Sequence, residues 1–184
     1  MDAFDVLDIA TAGFASTLRF VEPADLTRST PNPGWTVRDL LNHVVGGNRR
    51  YVLLLTGAPT EEVEALRDLD HLTTDPYADF VATAAEVSTA FRGPGVLDRI
   101  VHHRWGDRTG LQLLFLRITE HALHGWDLAR AIDADDSLDL SVADFLLAAI
   151  DVDPTLVNPN AFAIPPNDDG LTGAARLLAL TGRG

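Results

Sequence analysis

The chain has 184 residues, 46% of them apolar, which suits one domain over residues 1–184 with a core of its own. Its formal net charge is −13 and all 14 basic residues are arginine, so phosphate backbones and anionic lipid are disfavoured, and neither nucleic acid nor a membrane is an expected partner. Cysteine is absent, which excludes disulfides, zinc ribbons, iron–sulfur clusters and a thiol nucleophile of the chain's own.

The first stretch, "MDAFDVLDIATAGF", is acidic and lacks the basic flank of a secretory leader. No apolar run approaches the roughly 20 residues of a membrane span. A cytoplasmic location is therefore expected. Phe4, Leu7, Phe14, Leu18 and Val21 share one face of a helix predicted from residue 3 to about 21, and Pro23 stops it. "RSTPNPG" (28–34) is a loop. Thr36, followed three residues later by Asp39, reads as a capping box for a second helix that Gly57 and Pro59 end. Gly46 and Gly47 inside it weaken that helix by about 1 kcal/mol each relative to alanine. Glycines there imply a close approach by another group. Residues 60–74 read as an acidic loop or short helix, with His71 exposed.

Asp75 and Pro76 start a third helix as N-cap and first residue. "GPG" (93–95) breaks it, and a small extended segment or hairpin follows near 98–106. In such a segment His102 and His103 face opposite ways, so at most one points inward. Thr109 caps a long helix from about 110 to 132, and a further helix begins near Ser141. A Pro/Asn-rich linker (153–170) leads to a short "GAARLLAL" helix (173–180). The pattern is that of an all-α helix bundle.

"EHALHGWDLARA" (120–131) concentrates the polar chemistry. Glu120 and His124 are four residues apart and share a helix face at about 5–6 Å between Cβ atoms. His121 lies about 100° around from Glu120, so either Glu120/His124 or His121/His124 forms the ligand pair, but not both. His43, in the middle of the second helix, is the best third ligand, and Gly47 one turn on would leave space beside it. Two imidazoles and a carboxylate suit zinc or a similar divalent ion and leave a coordination position free. Two roles are open to Asp127: it accepts a hydrogen bond from a ligand imidazole, or it pairs with Arg130. Arg117 either holds a substrate carboxylate, or screens Glu120 or reaches solvent. Arg49 and Arg50 read as a solvated helix end that could attract an anion. Trp35 and Trp126 read as packing residues.

Three stretches carry a family resemblance. "TPNPGWTVRDLLNHVVGGN" (30–48), "EHALHGWDLARAI" (120–132) and "GLTGAARLLALTGR" (170–183) together resemble the DinB-like metalloenzymes. The specific likeness is to the metal-binding N-terminal domain of mycothiol-dependent maleylpyruvate isomerase and its short single-domain relatives. This resemblance implies a DinB-like four-helix bundle, up-down-down-up, with additional short C-terminal helices and a divalent metal near the bundle centre. The family's ligands fall on His43, Glu120 and His124, which sets His121 aside with Asp127 and Arg117 as a supporting or substrate-facing residue. Zinc is the expected ion, with nickel or another first-row ion admitted. The resemblance also implies a small external thiol, mycothiol or similar, as cosubstrate, and a small electrophile as its partner in S-transfer or thiol-assisted isomerisation. Metal-dependent hydrolysis, a non-catalytic metal- or ligand-binding module, and a metal-free homodimer are the alternatives. The isomerase has a C-terminal domain that helps complete its pocket; these residues contain none, so maleylpyruvate isomerisation itself is not expected.

Overall fold

Local capping chemistry starts most of the helices. The structure, a computed structural model, describes residues 1–157 and 170–183; residues 158–169 of the expected linker lie outside that description. Helix α1 (Ala3–Leu18) is capped by a reciprocal pair, Asp2 and Asp5. It stops about three residues short of the expected end, because Pro23 opens a separate 3-10 turn (Pro23–Thr27) and a proline restricts the residue before it to extended backbone. Helix α2 (Val37–Thr56) begins with the expected Thr36–Asp39 box and ends at Gly57, whose φ of +80° suits glycine. The acidic stretch after it folds into a short α3 (Thr60–Ala65). Asp75 and Pro76 start α4 (Pro76–Phe91).

The extended segment is an antiparallel hairpin, β1 (Ile100–His103) and β2 (Gly106–Thr109), somewhat later in the chain than expected. Thr109 and Gln112 cap α5 (Gly110–Ala131). Helices α6 (Leu140–Val152) and α7 (Gly173–Leu180) follow. None of the helices described is long and apolar enough to cross a membrane.

Helices α1, α2, α4 and α5 form the bundle, and side-chain pairs give their directions. Arg19 bonds Tyr77 at one end of the α1/α4 pair and Asp8 meets Arg92 at the other, so these two helices are antiparallel. Thr11 pairs with His121 and Phe14 packs on Gly125, so α1 and α5 run together. His43 meets Glu120 while Tyr51, two turns on, lies under Arg117, so α2 opposes α5. The order is therefore up-down-down-up.

Two apolar clusters fill the bundle, one around Leu7, Leu113 and Leu146, the other around Phe14, Leu40 and Phe80. A polar chain crosses all four helices. Thr11 Oγ1 lies 3.0 Å from His121 Nδ1, His121 Nε2 lies 3.1 Å from Asn48 Oδ1, and Asn48 Nδ2 donates to Thr83 Oγ1 at 3.2 Å. Thr83 in turn donates to the Asp79 carbonyl at 2.9 Å. With Asn48 donating to Thr83, its oxygen accepts from Nε2, and Nδ1 accepts from Thr11. Both nitrogens of a neutral His121 are satisfied, as a fully buried imidazole requires.

Burial, and then the nearby Arg117, hold the His121 imidazole well below its usual value. The unfolded chain binds a proton near pH 6.5 that the folded chain refuses. Stability is therefore intact above about pH 6.5 and falls as the pH drops below it, by up to ~1.4 kcal/mol per pH unit for one such group. Urea unfolding between pH 5 and 7 should show this slope, and His121→Gln should reduce it. An unchanged slope would assign the acid sensitivity to other groups.

Candidate metal centre

His43 on α2 faces Glu120 and His124 on α5, and one nitrogen or oxygen from each lies within 4.8 Å of the others. The i,i+4 spacing puts Glu120 and His124 on one face of α5, and the antiparallel α2 brings His43 to the same level. His43 Nε2 is 3.2 Å from Glu120 Oε2. The Trp35 ring lies 4.8 Å from the His43 ring and 6.0 Å from that of His124, between centroids. The residue expected only to pack thus walls two imidazoles.

Arg117, one turn before Glu120 on α5, is fully buried and donates from Nη2 to Glu120 Oε2 at 2.6 Å. Burial alone would raise the Glu120 carboxyl; the Arg117 guanidinium, then His43, outweigh it and hold it well below the usual carboxylate range. Burial has the opposite effect on His43, lowering its imidazole against the pull of Glu120, which favours the neutral ring. The Arg117 guanidinium also fills the space beside Gly47 that the sequence suggests is open. A Cβ on Gly47 would lie 2.5 Å from Arg117 Nη1.

His124 is oriented through its other nitrogen. Nδ1 lies 2.9 Å from Asp127 Oδ2, one turn on. Asp127 is fully buried and also accepts from Asn32 Nδ2 at 2.8 Å and from Arg183 Nε and Nη2, both at 2.8 Å. Burial would raise the Asp127 carboxyl, but the bonds from Arg183 and His124 hold it far below its usual value. Arg130 turns away instead, stacking over Trp126 and pairing with Asp136. Residues 7–129 match the model of the mycothiol maleylpyruvate isomerase N-terminal domain. The chain belongs to that family.

Two uncharacterized proteins from strains of Mycobacterium tuberculosis, Rv0738 and MT0763, are each 32% identical over 149 residues, covering 81% of this chain and 78% of theirs. The crystal structure of the mycothiol-dependent maleylpyruvate isomerase matches with a TM-score of 0.56 at 20% identity, over 68% of this chain and 59% of that one. A mutant of the same enzyme matches at 19% identity with the same score. At that identity the likeness is one of fold, and this chain spans only 59% of the solved enzyme's length.

In this member of the isomerase N-terminal domain family, the three side chains open onto a cavity of ≈ 960 Å³. Arg50, Tyr51, Arg67, His103, Trp105 and Arg183 help to line it. The hairpin supplies His103, which lies near Tyr51, while His102 points outward to Asp107. Burial brings the His103 imidazole down to about 4, so it is neutral at pH 7.

Three further sequence-based expectations need correction, and one residue was not foreseen. His121 is not available to a substrate, because its two nitrogens serve the polar chain described above. His71 is buried rather than exposed. Its backbone N–H donates to Asn42, its Nε2 lies 2.7 Å from the Leu66 carbonyl, and its ring occupies the place a Gly46 side chain would need. Arg50 is buried rather than solvated. Arg183 is the residue that sequence reasoning missed. The only signal is the "Gly-Arg" ending of the third resembling stretch, and nothing local connects it to Asp127.

Proposed function

We propose that this protein is a small divalent-metal protein, with His43, Glu120 and His124 as ligands, that works with a small external thiol of the mycothiol type. The convergence of the three ligand-type atoms on two packed helices, at the wall of a large cavity, carries this reading. The donor set fits a first-row ion, zinc first. His124 leaves Nε2 to ligate because Asp127 occupies Nδ1, a common arrangement for metal-bound histidine. Arg117 keeps Glu120 ionised, and burial keeps His43 neutral, so both are in ligating form at pH 7. A divalent ion held there supplies Lewis acidity and stabilises a thiolate near neutral pH.

The chain's residues contribute position and environment. Trp35 shields the imidazoles on one side. The absence of cysteine means any sulfur nucleophile comes from outside, and the cavity is of the size that ligand sites reach. The reaction class is addition of that thiol to an electrophilic carbon, as S-transfer or thiol-assisted isomerisation. Membership of the isomerase N-terminal domain family, and the fold shared with a mycothiol-dependent enzyme, support mycothiol as the thiol.

Calorimetry tests the reading. Protein purified without a histidine tag should take up about one zinc per chain and then bind mycothiol, while the metal-free protein should not bind it. Equal mycothiol binding with and without zinc would overturn the assignment of the thiol to the metal.

A further inference from the structure

Arg117 is fully buried, yet among the described residues its Nε and Nη1 have no hydrogen-bond partner. Its bond runs from Nη2 to Glu120 Oε2. Buried donors left without partners are costly, so hydrogen bonding does not explain where this guanidinium lies. Shape does. Gly47 and Tyr51, four residues apart on α2, share a helix face. A Cβ on Gly47 would lie 2.5 Å from Arg117 Nη1 and 3.5 Å from both Cζ and Nη2. The Tyr51 ring covers the same guanidinium, its centroid 5.0 Å from Cζ, in reach of a cation–π attraction. The neighbouring glycine does different work: a Cβ on Gly46 would strike the His71 ring, 2.3 Å from Cδ2.

We propose that Gly47 is a positioning residue of the candidate metal centre: by carrying no side chain it seats the Arg117 guanidinium, which in that seat fixes the Glu120 carboxylate. The proposal rests on the reading given above, in which Glu120 is a ligand. A methyl group at position 47 and Nη1 cannot share one place. Nη1 is the far end of a flexible side chain with no hydrogen bond of its own to hold it, so the guanidinium gives way and the helix does not. Once displaced, it loses its hold on Glu120 Oε2, and His43 Nε2, at 3.2 Å, remains as that oxygen's partner. The displaced cation stays in the same interior, so its repulsion of a divalent ion persists while its support of the ligand is lost. Both effects weaken metal binding.

Equilibrium dialysis of zinc against protein without a histidine tag reads the effect. Gly47→Ala should weaken zinc about 10–100-fold, the usual cost of losing a group that orients a ligand. Gly46→Ala makes the same chemical change one residue earlier and should leave zinc affinity unchanged. In the Arg117→Met protein, adding Gly47→Ala should change zinc affinity no further, because the group through which Gly47 acts is gone. This double variant also relieves the clash, so it should fold even if Gly47→Ala alone does not.

Urea unfolding without zinc supplies an arm independent of the metal. Glu120→Gln should lower the unfolding midpoint less in the Gly47→Ala protein than in the parent, because the Arg117–Glu120 pair is already broken there. Zinc affinity equal to the parent's in Gly47→Ala, or a loss that persists in the Arg117→Met background, would overturn the proposal while leaving the metal reading intact. A parent protein that takes up no zinc would refute the metal reading, and the urea arm then decides: a smaller midpoint loss in Gly47→Ala leaves the seat for Arg117 standing, and an equal loss overturns that too.

Discussion

Replacing Glu120 with glutamine should lower stability by about 3 kcal/mol, near the bottom of the range for breaking a buried ion pair, and should remove zinc binding as well. Two separate jobs meet in this carboxylate. It compensates Arg117, which is fully buried and donates to it at 2.6 Å. It also supplies the one oxygen among the three converging ligand-type atoms. The value sits near the bottom of the range because the Glu120 side chain is 26% exposed and water relieves part of the loss. His43→Ala separates the jobs. It should remove zinc binding too, yet change stability by less than about 1 kcal/mol, because its side chain is 30% exposed and no buried charge is orphaned. The double variant Arg117→Met/Glu120→Gln should recover much of the lost stability without recovering zinc. Urea unfolding and equilibrium dialysis read the two effects. A Glu120→Gln protein as stable as the parent would show that Arg117 does not depend on this acid.

Asp127→Asn should weaken zinc affinity about 10–100-fold, the usual cost of removing a group that orients a ligating histidine. The carboxylate sits between His124 Nδ1 and the two nitrogens of Arg183. By engaging Nδ1 it fixes which His124 nitrogen faces the other two ligands. Removing its charge also ends the ion pair with Arg183 and leaves one amide oxygen where two carboxylate oxygens accept its 2.8 Å bonds. Arg183→Gln leaves the Asp127–His124 bond in place and should cost less affinity, in the same direction. Competition with a chromophoric chelator measures both. Equal zinc affinity in Asp127→Asn and the parent would remove Asp127 from the support of His124.

The helices were legible because their causes are local. Thr36 with Asp39, Asp75 with Pro76, and Thr109 with Gln112 start helices through atoms a few residues apart. The same locality put Glu120 and His124 on one face and His121 on another. His43 could be named as the third member from its place on an apolar helix, but its distance from Glu120 could not, since 77 residues separate them. The glycine pair announced close approaches without saying by what. His71 fills one and the Arg117 guanidinium the other, and both arrive from elsewhere in the chain.

What the amino-acid sequence determined by itself was therefore the helical periodicity, the capping chemistry, the missing thiol and the ligand spacing along α5. Each depends on bond geometry over a few residues. The tertiary structure alone decided that Arg183 holds Asp127 across 56 residues, that His121 is consumed by Thr11 across 110, and that Arg50 is buried rather than solvated. Those outcomes depend on which helix faces meet, and charge compensation in a low-dielectric interior is set by that meeting rather than by any neighbour along the chain.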